Sequence, residues 1–79
     1  MTNRIFSTRL NKELDGIGFP LRTEERITAF SKLLHIPKYT AEALLQGAIT
    51  PNPDLLNRLS SELEVDQDWL MGGGYHKNS

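Results

Sequence analysis

The chain has 79 residues, 38% of them apolar, no cysteine and a formal net charge of −1. That length supports one small domain and excludes most folds with a deep catalytic cleft, and the missing thiols exclude a disulfide framework or a thiolate metal site. Stability must come from one patterned core and should be modest.

Phe6, Leu10 and Leu14, with Ile17 as a candidate fourth, recur at helical spacing and predict a first helix over roughly residues 5–15. Ser7 or Asn3 is its candidate cap, and Gly16, Gly18 and Pro20 end it. Thr23 is the candidate N-cap of a second helix, 24–34, with Glu24 and Glu25 in the first turn, where carboxylates favour the dipole. That position explains the paired carboxylates without acid–base chemistry. Ile27, Phe30 and Leu34, with Leu33 alongside, form its buried stripe, and Arg26 and Lys32 are placed on its wetter sides.

His35-Ile36 is a break too short to be a free loop. Pro37 suits the first position of a third helix, which runs to about Gln46 and stops at Gly47. Ala41, Leu44 and Leu45 face inward, leaving Lys38, Tyr39, Glu42, Ala43 and Gln46 outward. Two helices joined by so short a turn make a helix-turn-helix. Asn52 then caps a fourth helix with Pro53 at its first position and Leu55, Leu56, Leu59 and Leu63 on its buried face, ending near residue 64 at Val65. Asp66 caps a short fifth helix, Gln67 to Met71, anchored by Trp69 and Leu70. Gly72-Gly73-Gly74 ends the structure, so residues 1–73 form the domain and 74–79 a flexible tail.

Charge is unevenly placed. Residues 1–41 hold seven Lys/Arg against four acids, and residues 42–79 hold two against six. A positive half can offer a positive face to a polyanion even when the whole chain is slightly acidic. No run of about 18 apolar residues appears and no signal-peptide pattern opens the chain, so a cytoplasmic protein is expected. His35 and His76 have no second ligand at metal spacing, and no nucleophile–base pair or phosphate loop occurs. Neither enzyme, metal, cofactor nor small-molecule substrate is expected.

The ordered residues resemble the lambda-repressor-like (Cro/C1-type, XRE) helix-turn-helix family of phage and bacterial regulators. Phe6-Ser7-Thr8-Arg9-Leu10-Asn11 with Gly18-Phe19-Pro20 is similar to its opening helix and loop. Leu34-His35-Ile36-Pro37-Lys38-Tyr39-Thr40-Ala41 is similar to its turn and recognition-helix start. Leu44-Leu45-Gln46-Gly47 with Pro51 resembles the helix exit, and Leu63-Glu64-Val65-Asp66 with Trp69-Leu70-Met71-Gly72 the closing helix. The resemblance implies an all-α, compact five-helix domain and a transcriptional regulator, a repressor bound as a homodimer to a pseudo-palindromic operator in double-stranded DNA. The resemblance also implies nucleoid association when bound, with a dimer surface around Trp69 to Met71.

By matching positions, Lys38, Tyr39, Thr40, Glu42 and Ala43 would meet base edges. Lys38 would donate to guanine O6 and N7, Tyr39 would bond or pack on a thymine methyl, and Glu42 would accept from a cytosine amine. Arg26, Ile27, Gln46, Thr50 and Asn52 would contact phosphates, the first two through backbone N–H groups at a helix start. Relatives often carry glycine where His35 stands, so His35 either takes a left-handed conformation or leaves the turn slightly different. A second reading keeps the helix-turn-helix fold as a protein–protein interaction module without strong DNA binding.

Overall fold

The computed structural model describes residues 4–73. Five helices follow one another, α1 (Arg4–Gly16), α2 (Thr23–Leu34), α3 (Lys38–Gln46), α4 (Pro53–Leu63) and α5 (Gln67–Leu70), with no strand among the described residues. Helices this short are marginal alone in water and persist by burying a shared apolar stripe. That stripe is Phe6, Leu10 and Leu14 of α1, Phe30 and Leu34 of α2, Ala41 and Leu44 of α3, and Leu55, Leu59 and Leu63 of α4, closed by Val65 and Leu70. Helix α3 packs against both α1 and α2, while α5 rests on α1 and α4.

Four boundaries use one device. At Gly18, His35, Gly47 and Glu64 the backbone turns left-handed. The next residue (Phe19, Ile36, Ala48, Val65) then donates its N–H five residues back, to Leu14, Ser31, Ala43 and Ser60, at 2.9 to 3.1 Å. This six-residue closure satisfies orphan helix carbonyls and turns the chain sharply. His35 and Glu64 adopt it at φ 56° and 55° without being glycine, which settles the turn after α2 as left-handed. At the opposite ends, the Asn52 side chain accepts from Leu55 N–H at 2.8 Å, and Asp66 accepts from Trp69 N–H at 2.9 Å, as expected of caps.

Other expectations are corrected. Ser7 caps nothing: it lies inside α1, and its hydroxyl donates to Arg4 O at 3.2 Å. The alternative cap, Asn3, lies outside the described residues. Ile17 falls beyond α1 and is 55% exposed, so it is no part of the stripe. Helix α2 begins one residue before its expected start. Arg26 N–H bonds to Arg22 O at 2.8 Å, which makes Arg22 the extended N-cap and puts Thr23 inside the helix. Pro37 is likewise the N-cap of α3, with ψ 152°, and not its first helical residue. Helix α5 ends at Leu70, with Met71 as its C-cap. Ordered structure then continues through Gly73, whose N–H bonds to Asp68 O at 2.6 Å.

The largest correction is Arg26. It is 8% exposed and points inward, beneath α1 and the α1–α2 loop, with Phe30 and Leu34 on the same buried face of α2. Its Nε donates to Pro20 O at 2.8 Å, its Nη1 to Asn11 Oδ1 at 3.0 Å, and its Nη2 to Asp15 Oδ1. A guanidinium is tolerated at such a site only when its donors are filled, and these are filled by groups from α1 and the loop. Arg9 is also structural. Its guanidinium lies 4.9 Å from the centre of the Trp69 ring and donates to Gly73 O at 2.8 Å and to Trp69 O, fastening α5 to α1.

Candidate functional site

The exposed side of α3 is the best-defined candidate. Its inner side is fixed: Ala41 and Leu44 have no exposed surface, and Leu45 is half-buried against the core. Asn11 of α1 adds a polar tie, donating Nδ2 to Leu45 O at 3.0 Å while its Oδ1 holds Arg26. From the other end, Arg58 of α4 donates to Leu34 O at 2.9 Å, steadying the carbonyl just before the turn. The helix therefore offers its remaining face at an orientation set by α1 and α2.

That face carries Lys38, Tyr39, Glu42 and Gln46 as exposed residues, with Thr40 and Ala43 half-buried at its edges. Tyr39 is 76% exposed, which is unusual for a large aromatic side chain without a partner to cover it. Lys38, Glu42 and Gln46 fall in one row, four residues apart. Lys38 makes no ion pair among the described residues, and Gln46 Nε2 donates to Glu42 Oε2 at 3.3 Å.

At the start of α3 the N–H groups of Thr40 and Ala41 both reach Pro37 O, at 3.1 and 3.0 Å. No side chain caps this terminus and no acidic residue lies in its first turn. The N–H groups of Lys38 and Tyr39 are thus left pointing off the helix end, where the dipole adds partial positive charge to that of Lys38. The face as a whole is nearly neutral, since Glu42 offsets Lys38 one turn later. It suits selective hydrogen bonding better than indiscriminate attraction of anions.

Beside this row lies an open cleft of about 180 Å³, lined by residues of α1, α2 and α3 that include Thr23, Arg26, Glu42 and Gln46. It brings the N-terminal end of α2 alongside the middle of α3. Asp15 and Glu42 both line it and the charge of Arg26 is spent on Asp15, so the cleft has no net attraction for an anion.

No family model, curated protein or solved structure matches this chain.

The residues expected to read bases therefore come together on one surface. Those expected at phosphates are scattered. Arg26 is internal, and its backbone N–H is used within the helix. Ile27 follows it, beyond the first-turn N–H groups that a helix leaves free, and its side chain packs on the core. Gln46 is exposed but engaged with Glu42. Thr50 is exposed, and Asn52 is exposed with its amide oxygen committed to the α4 cap.

Two residues were missed. Arg22 stands exposed at the true N-cap of α2, 3.9 Å from Glu25 in a loose ion pair, and is the cation best placed beside the free N–H groups there. Its signal was available: an arginine immediately before the Thr-Glu-Glu helix start. Asn11 had no such signal, because its partners are distant in sequence. Among the described residues no group of three His, Asp or Glu is arranged to hold a metal, and no helix is long and apolar enough to cross a membrane.

Proposed function

We propose that the chain is a sequence-specific DNA-binding regulator, a repressor in which α2, the turn at His35-Ile36-Pro37 and α3 act as a helix-turn-helix. The observation that carries this reading is the division of α3 into two faces. One is packed on the core and tied down, and the other carries a lysine, a tyrosine, a glutamate and a glutamine toward solvent from a free helix N-terminus. An α-helix fits the major groove of B-DNA, and N-terminal residues of such a helix meet base edges. Lys38, Tyr39, Thr40, Glu42 and Ala43 would supply those contacts, with backbone positioning from Arg22, Thr50, Asn52 and the first N–H groups of α2.

A single nearly neutral helix gives weak affinity, so a homodimer on a pseudo-palindromic site would double the contact set. Ile5, which is 54% exposed and lies beside Gly72, and the half-buried Trp69 and Met71 offer an apolar patch for it. The exposure of Tyr39 and of Leu21, 82%, with the low charge of the face, favours one other reading: a protein-binding module built on the same helices. Selection from a random double-stranded DNA pool, with mass measurement in solution, separates the two. The regulator enriches a symmetric sequence and binds it as a dimer, with affinity that falls steeply as salt rises. Absence of any enriched sequence at low salt would leave the protein-binding reading.

A further inference from the structure

Glu42 and Gln46 stand one turn apart on the exposed row of α3, and Gln46 Nε2 donates to Glu42 Oε2 at 3.3 Å. The bond restricts a side chain that would otherwise sweep freely, and it leaves the second carboxylate oxygen unused. Two consequences follow if this face lies in a major groove. A carboxylate is an acceptor only. Of the base edges there, guanine presents acceptors and thymine an acceptor with a methyl group, while adenine presents its amine next to the N7 acceptor. Cytosine alone presents an amine with no neighbouring acceptor. The same negative charge repels phosphates, so it weakens contact with DNA that does not supply that amine.

We propose that Glu42 is the specificity-determining residue of this face, selecting cytosine at one position by rejecting the other three bases, and that Gln46 is its positioning residue and not a phosphate contact. The inference rests on the DNA-binding reading above. Four residues of helix rise about 6 Å and stacked bases lie about 3.4 Å apart. The cytosine should therefore fall about two steps from the base that Lys38 meets.

The test is selection from a random double-stranded DNA pool by the full chain and by Glu42→Ala, Glu42→Gln and Gln46→Met, each first checked for helical content. Both positions are solvent-exposed, so the fold should survive. The wild type should enrich one cytosine in each half-site. Glu42→Ala should lose roughly tenfold or more in discrimination at that position alone and bind unselected DNA more tightly. Glu42→Gln, which can both donate and accept, should shift the preference there from cytosine to adenine. Gln46→Met keeps the length and removes the donor. It should blur the same position severalfold and leave the others unchanged, which a general loss of stability would not do.

An enriched site identical in wild type and both Glu42 variants overturns the assignment while the DNA-binding reading stands. A normal cytosine preference in Gln46→Met overturns the positioning role. If the wild type enriches nothing, the DNA-binding reading fails and takes this one with it.

Discussion

Asn11 is the residue through which Arg26 is connected to α3: its Oδ1 accepts from Arg26 Nη1 at 3.0 Å and its Nδ2 donates to Leu45 O at 3.0 Å. One amide thereby joins α1, α2 and α3 by using its acceptor and its donor on different helices. Truncation would leave a buried guanidinium short of one acceptor and the Leu45 carbonyl short of one donor. The cost of stranding such groups exceeds the net worth of the bonds themselves. Asn11→Ala is therefore expected to destabilise the fold by about 2–3 kcal/mol. Asn11→Asp would still accept from Arg26 but would set an anion against the Leu45 carbonyl, and should also lose stability. Denaturant unfolding checks both, and a loss under about 0.5 kcal/mol for Asn11→Ala, the range of an ordinary surface change, would show that the tie is idle.

The left-handed residues His35 and Glu64 point to a gain that can be engineered. A side chain in this region costs about 1–2 kcal/mol against the right-handed alternative. Glycine removes that cost but returns about half of the benefit through a more disordered unfolded chain. His35→Gly should therefore stabilise by about 0.5–1 kcal/mol, a rise of a few degrees in the thermal midpoint. His35→Val, β-branched and intolerant of positive φ, should lower it by more than that. The order Gly, His, Val is what calorimetry should return.

The two kinds of feature differ in how far they could be read from the chain. The caps at Asn52 and Asp66, the stop at Gly47 and the faces of α3 were legible because each is decided within about one turn of sequence. Arg26 was not. Charge alone places an arginine outside a helix, and the acceptors that fill its donors at Asn11, Asp15 and Pro20 lie 6 to 15 residues upstream. Burying Arg26 with Phe30 and Leu34 at intervals of four also fixes the register of α2. The N-cap of that helix is Arg22, against the local preference of Thr23. That Lys38, Tyr39, Thr40, Glu42 and Ala43 lie on one surface was legible because it needed only the faces of α3. Arg26 and Ile27 fall away from that surface because Arg26 turns inward and Ile27 packs on the core, which the contact of α2 with distant residues decides.

Arg9 and Trp69 provide a built-in reporter for the attachment of α5. Trp69 is the only tryptophan in the chain, and its ring lies under the Arg9 guanidinium. The same guanidinium holds two carbonyls at the end of the domain, at Trp69 and Gly73. A lysine cannot reproduce this planar fork. Arg9→Lys should cost about 1–2 kcal/mol and shift Trp69 emission to longer wavelength as the ring gains water. An unchanged spectrum with unchanged stability would mean that the packing of Leu70, Trp69 and Met71 on the core holds α5 without the Arg9 tie. Gly73→Ala tests the other half of the contact, because a methyl group there would stand 2.6 Å from Asp68 O.

Lys38 and Arg26 give the sharpest contrast for the proposed DNA binding, since charge counting treats them alike. A cation that neutralises a phosphate or approaches the groove releases counterions, and its removal flattens the dependence of log affinity on log salt by about one unit. Lys38 is exposed at the free end of α3, so Lys38→Ala should lower that slope and leave stability within about 0.5 kcal/mol of wild type. Arg26 is spent inside the protein. Arg26→Met, which keeps much of the volume and removes the charge, should lower the unfolding midpoint because the acceptors at Pro20 and Asn11 lose their donor. It should leave the slope unchanged at temperatures where the variant is folded. Fluorescence anisotropy on a selected site, taken at four or five salt concentrations for each protein, reads both slopes directly. Equal flattening by the two variants would mean that the guanidinium reaches DNA after all, and that α2 unpacks from Asn11 when the complex forms.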